Sequence, residues 1–157
     1  MIVDLIVVGK TTQAEVDALV AMYSRRLTHY VRFSITYIAD IRNAKNLSQA
    51  ELRTAEGEQI LRQIAPTDRL VLLDEHGSEF RSVEFAAWLQ RHLNSSLRRL
   101  VFVIGGAYGF SEAVYQRANE KISLSKMTFS HQIVRAIFAE QLYRGFSIIN
   151  NEPYHHE

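Results

Sequence analysis

The sequence predicts an α/β fold, a mostly parallel sheet flanked by helices, and three observations carry that expectation. Residues 2–8 form an almost continuous apolar run, largely β-branched and closed by Gly9, the pattern of a strand buried on both faces. Residues 69–73 and 100–104 repeat that apolar character. Apolar residues at helical spacing fill the intervals, so strands alternate with helices as in a parallel sheet wrapped by crossover helices.

The elements follow in order. Within residues 13–30, Val16, Leu19, Val20, Tyr23 and Leu27 recur at helical spacing, and Arg25, Arg26 and Arg32 gather near the end of that helix. Residues 33–38 alternate apolar and polar and read as a second strand, whereas DIRNAKN, residues 40–46, has no periodicity and reads as a loop. Ser48 and Glu51 have capping-box spacing, so a helix starts there and runs to residue 64. Gly57 lies inside it at a cost of about 1 kcal/mol against alanine, which points to close approach of another backbone. Residues 69–73 are the third strand, 82–93 a helix and 100–104 the fourth strand. Ser111 caps a helix to residue 118, a short strand follows at 122–124, and 132–144 form the last helix before the tail NNEPYHHE. No repeat or linker interrupts this order, so one domain over residues 1–157 is expected.

Composition narrows the function classes. With 47% hydrophobic and 22% charged residues, the 157-residue chain is that of a soluble globular domain. A formal net charge of +1 leaves a nucleic-acid binder no option but to gather its basic residues on one face. The absence of cysteine excludes disulfides, thiolate-bound zinc and a cysteine nucleophile, and fits a reducing compartment. No segment approaches the roughly 20 apolar residues of a membrane helix, and the opening lacks the basic start and cleavage site of a signal peptide. A cytoplasmic protein is the expectation.

Ligands of open α/β sheets bind beyond the carboxyl ends of the strands. Three such ends stand out: LVLLDEHG (70–77), VFVIGGAYGFS (101–111) and SLSKMTFSH (123–131). Gly105 and Gly106 directly follow a buried strand and Gly109 precedes the cap Ser111, which fits either a cradle for a cofactor or a tight strand-to-helix turn. The GGxxG spacing is neither the dinucleotide fingerprint nor a phosphate-binding loop. SLSKMTFSH mixes small hydroxyls with apolar groups, as a loop around an adenosine does, and as a surface strand entering a helix also does. Glu140 and Arg144, four apart with the acid first, are either a solvated helical pair or a functional one. His131 is either a base or a residue of the cap region. Adjacent His155 and His156 diverge in an extended chain and no ligand spacing recurs, so no metal is expected.

Taken together, these pieces resemble the ribosomal RNA large-subunit methyltransferase H family, the YbeA-like members of the SPOUT superfamily. The resemblance runs from VVGK (7–10) through EGEQIL (56–61), LLDEHG (72–77), IGGAYG (104–109) and SLSKMTFSHQIVR (123–135) to EQLYRGFSIINNEPYHHE (140–157). It implies a SPOUT-type domain with a C-terminal trefoil knot, S-adenosyl-L-methionine as cofactor, and a homodimer. The implied activity is methylation of N3 of a pseudouridine in large-subunit (23S) ribosomal RNA on the assembled ribosome. Carried over by position, the cofactor loops are Leu72, Leu73 and Asp74, then Gly105 and Gly106, then Ser123, Leu124, Ser125, Lys126, Met127, Thr128, Phe129 and Ser130. The substrate side corresponds to His131, Arg135, Glu140, Arg144, Tyr154 and His155. Two departures stand out: Ala107 and Tyr108 within the glycine turn, which bear on the grip of the cofactor, and Gln132 after His131, which bears on how firmly the loop enters the last helix. Arg25, Arg26 and Arg32 are candidate RNA contacts.

Overall fold

The computed structural model describes residues 1–156. Five parallel strands form one sheet in the order β2-β1-β4-β3-β5: β1 Ile2–Val8, β2 Arg32–Ile38, β3 Arg69–Glu79, β4 Arg99–Ile104 and β5 Glu120–Ser123. Five helices connect and cover them: α1 Ala14–Leu27, α2 Gln49–Arg62, α3 Ser82–Leu93, α4 Glu112–Arg117 and α5 Ile133–Ile149. Because side chains alternate along a strand, β1 sends Val3, Leu5 and Val7 to one face and Ile6 and Val8 to the other. The first face packs on Phe85, Trp88 and Leu89 of α3 and on Phe138, Leu142 and Phe146 of α5. The second packs on Ile60 of α2 and Val114 of α4. Burial on both faces is what the solid apolar runs require. No helix among the described residues is long and apolar enough to cross a membrane.

The structure departs from the sequence reading at β3, α5 and Gly57, and β5 begins two residues earlier, at Glu120. β3 continues past Leu73 to Glu79, because Ser78 and Glu79 pair with Ile122 and Ser123 after a break in register. Gly77 permits that approach: a Cβ there would stand 2.6 Å from the backbone nitrogen of Ile122. α5 runs on to Ile149 instead of ending at Arg144, since Gly145 lies against Phe85 and Leu89 and Phe146 is buried. Gly57 does admit a neighbour, but that neighbour is the side chains of Ser111 and Val114, not another backbone. Ser48 and Glu51 make the expected capping box.

Candidate active site

The carboxyl ends of β3, β4 and β5 enclose a cavity of about 440 Å³. Of the residues expected around a cofactor, Leu73, Asp74, Gly105, Gly106, Leu124, Ser125, Met127, Thr128 and Phe129 line it, and so does His131. Leu72 and Ser123 are buried, the latter's hydroxyl donating to the Ser125 carbonyl at 2.9 Å. Lys126 is exposed, its ammonium 3.9 Å from Glu79, and Ser130 accepts the Ile133 N–H at 3.1 Å at the start of α5.

The glycines of the turn have distinct jobs. Gly109 adopts φ +79°, a left-handed conformation that favours glycine, and its N–H closes the turn on the Gly106 carbonyl at 3.2 Å. A Cβ on Gly105 would press on the Phe110 ring at 3.0 Å, and one on Gly106 would stand 2.7 Å from both carboxyl oxygens of Glu56. The turn is therefore tight because of its own packing, and it also forms a cavity wall.

Asp74 supplies the cavity's buried charge. It accepts the Tyr115 hydroxyl and, at 2.8 Å, the His76 N–H. Burial raises its pKa, but the Tyr115 and His76 hydrogen bonds and the His76 charge outweigh it, leaving the carboxyl below its ordinary range. Burial and Asp74 push the Tyr115 phenol up to about 12, so it stays a donor at neutral pH. Tyr115, Phe110, Ile104 and Val134 also line the cavity. The sequence reading missed them, because an apolar or aromatic residue looks the same in sequence whether it faces a core or a cavity. Tyr115, one helical turn after the Ser111 cap, follows the glycine turn closely enough to have been suspected.

A second constellation lies further along α5. Glu140 Oε1 accepts from Arg144 Nε at 3.0 Å and from the Tyr154 hydroxyl at 3.0 Å. Arg144 Nη1 stands 3.1 Å from His155 Nδ1, and its guanidinium lies 4.7 Å over the Tyr154 ring. Tyr154 also meets the Tyr23 hydroxyl at 3.2 Å and packs edge-on against Tyr143. Burial, then Tyr23 and Glu140, raise the Tyr154 pKa. The Glu140–Arg144 pair is thus partly buried and tied to the chain end, not a merely solvated helical pair. The tail is pinned further by Glu152, which accepts the Tyr30 hydroxyl at 2.6 Å; Glu157 lies outside the described residues. Glu140, Arg144, Tyr154 and His155 come together, yet none of them lines the cavity that holds His131.

Arg135 is a correction. It resembles a substrate-side residue in the sequence, but it is 1% exposed and its guanidinium donates to the carbonyls of Val8 (2.7 Å), Gly9 (2.9 Å) and His131 (3.0 Å) and to the Thr11 hydroxyl (3.0 Å). Gln132 does not loosen the loop either: it accepts the Thr12 N–H at 2.8 Å and donates to the Lys10 carbonyl at 3.1 Å. Both residues bind the segment after β1 to the start of α5 and so hold the loop that carries His131. Arg25, Arg26 and Arg32 are exposed, with Arg26 over the rings of Tyr23 and Tyr143 at 5.4 and 5.5 Å.

Among the described residues no group of three or more acids or histidines could hold a metal ion. A cavity of this size, with a glycine turn, the carboxylate of Asp74 and mixed apolar and hydroxyl walls, suits a small organic ligand with an adenosine-like part. Comparison with known proteins agrees with that chemistry. A family model described as "Predicted SPOUT methyltransferase" matches residues 1–155. Ribosomal RNA large subunit methyltransferase H of Parabacteroides distasonis is 55% identical over 157 residues, the whole of both chains. The proteins of that name from Christiangramia forsetii and Flavobacterium psychrophilum are 53% and 54% identical, covering 99% and 100% of each chain. A parallel α/β sheet, a glycine-turn cavity at its carboxyl edge and full-length likeness converge: the chain belongs to the SPOUT methyltransferase family and uses S-adenosylmethionine.

Proposed function

We propose that this protein methylates N3 of a pseudouridine in large-subunit ribosomal RNA, acting on the assembled ribosome as a homodimer. The observation that carries the reading is the cavity at the ends of β3, β4 and β5, lined by most of the residues expected to hold the donor. Leu73, Asp74, Gly105, Gly106 and the loop from Leu124 to Phe129 would hold it. When bound, S-adenosylmethionine supplies an electrophilic methyl group on a positively charged sulfur. The chain's own task is to align the acceptor in a dry pocket and to manage the acceptor's proton.

An imino nitrogen is protonated near neutral pH, so a group must take its proton as the nucleophile forms. His131, in the cavity, and His155, in the tail cluster, are the two candidate bases. Arg144 would stabilise the negative charge that develops on the neighbouring carbonyl, oriented by Glu140 from one side and by the Tyr154 ring beneath it. Transfer to nitrogen needs no covalent adduct, consistent with a chain that contains no cysteine.

The separation of the two constellations supports the homodimer in this reading. The tail cluster of one protomer, laid over the cavity of its partner, would complete a site that neither holds alone. This also explains why the chain end is ordered against α5, where Tyr154 and His155 are shaped to meet a flat base and a polar edge. The exposed Arg25, Arg26 and Arg32 would add salt-dependent contacts to the RNA backbone.

The test has two stages. Calorimetric titration with S-adenosylhomocysteine should show binding. Assembled ribosomes lacking the modification should then gain one methyl group on a large-subunit pseudouridine, located by mass spectrometry of nuclease fragments, whereas naked RNA should not. Methylation of naked RNA at an equal rate would overturn the requirement for the assembled particle, and failure to bind S-adenosylhomocysteine would overturn the pocket's role.

A further inference from the structure

Glu56 and Gly57 opened the EGEQIL stretch of the sequence, and the chemistry above gives neither a task. Glu56 is 8% exposed, on a helix whose outer face is otherwise charged. None of the described residues donates a hydrogen bond to its carboxyl, and burial followed by the Asp40 charge raises its pKa. So little exposure is unusual for an unpaired acid, and the placement needs a reason.

The contacts supply one. Both carboxyl oxygens of Glu56 lie where a Cβ on Gly106 would be, 2.7 Å from each. One residue on, Gly57 leaves room for Ser111, whose hydroxyl a Cβ there would overlap. Ser111 in turn caps α4, accepting the Val114 N–H. The two glycines are thus reciprocal. A glycine of the turn makes room for the helix's acid, and a glycine of the helix makes room for the serine that ends the turn. Together they seat residues 105–111 on α2 at both ends, and the same segment forms a wall of the cavity.

We propose that Glu56 is a positioning residue of the donor pocket: its carboxyl, braced against Gly106, sets where the turn of residues 105–109 stands and so shapes the wall that the donor meets. It acts through Gly106, since Glu56 itself does not line the cavity. On this view glycine is needed at 106 to accommodate Glu56, and not to admit the ligand.

The proposal rests on the assignment of this cavity to the methyl donor, and a double-mutant cycle read by S-adenosylhomocysteine titration tests it. Gly106→Ala should weaken binding at least tenfold and Glu56→Ala about tenfold. The double variant should bind at least fivefold more tightly than the product of the two losses allows, because removing the acid frees the space that the new methyl group needs. Additive losses would overturn the proposal, since glycine would then serve the ligand directly, and so would wild-type affinity in either single variant. Glu56→Gln asks the same question without touching the glycine: it keeps the volume and should bind within about twofold of wild type, whereas a loss equal to that of Glu56→Ala would refute a role based on position. Thr128→Trp, on the loop after β5, checks the cavity alone. Unchanged binding there would overturn the pocket assignment and the proposal with it; lost binding alongside an additive cycle would overturn the positioning role only.

Discussion

Replacing Arg135 by methionine is the perturbation whose size follows most directly from the structure. The guanidinium is buried and meets four oxygens, two of them the carbonyls of Val8 and Gly9, where its hydrogen bonds are themselves buried. Methionine fills much of the same volume but leaves both carbonyls unpaired, at about 1–3 kcal/mol each. Burial also disfavours the charge itself, lowering the Arg135 pKa against the smaller opposing pull of Tyr37 and Asp40, so removing it returns part of that cost. The expected net loss is about 2–4 kcal/mol, which for a chain of this length lowers the melting temperature by about 5–15 °C. Circular-dichroism melts at one fixed protomer concentration would measure it, because association changes apparent stability. Since Arg135 also fixes the loop carrying His131, S-adenosylhomocysteine should bind several-fold more weakly. Lysine at 135, with three donors and no fork, should fall between the two. A methionine variant that melts within 2 °C of wild type and binds equally well would refute the view that this side chain ties β1 to α5.

Other outcomes follow from the same geometry. Because burial and Asp40 raise the Glu56 pKa, the protonated acid is favoured in the folded protein: its contribution is complete below the unfolded value of about 4.3 and is lost as pH rises through the folded one. Glu56→Gln should therefore raise the melting temperature more at pH 8 than at pH 4, and an equal change at both would contradict that assignment. Arg144→Ala should slow methyl transfer about 100-fold or more, as loss of an anion-stabilising donor does, while S-adenosylhomocysteine affinity stays unchanged; loss of both together would remove support for that role. Deleting residues 150–157 should leave a cooperative thermal transition and donor binding but abolish transfer to ribosomes, and full activity in the truncated protein would show that the tail takes no part.

Much of this was legible in the sequence because the signals are local. The apolar runs of β1 and β4, the Ser48–Glu51 box and the Ser111 cap each rest on neighbours a few residues away. What escaped depends on distant partners. The extension of β3 is hidden in polar DEHGSE and exists because β5 supplies a partner across Gly77. Arg135 reads as a functional cation until the carbonyls after β1 arrive beside it from more than a hundred residues away. Tyr115 enters the cavity because α4 brings its hydroxyl to Asp74 of β3. The glycine turn was recognised, but its reason, the carboxyl of Glu56 on a helix that precedes it by fifty residues, could not be read from spacing.

The central claim is that the catalytic site is shared between two protomers, and subunit mixing tests it most directly. One chain would carry Arg144→Ala, disabling the tail cluster, and the other Thr128→Trp, blocking the cavity, with the two co-expressed under different tags. If each site combines the cavity of one protomer with the tail cluster of its partner, a mixed dimer holds one site with both lesions and one with none. With random pairing the population should then recover about one quarter of wild-type activity, and tandem-purified mixed dimers about half. Activity no greater than that of either variant alone would mean that cavity and cluster serve the same protomer, and would contradict the shared site.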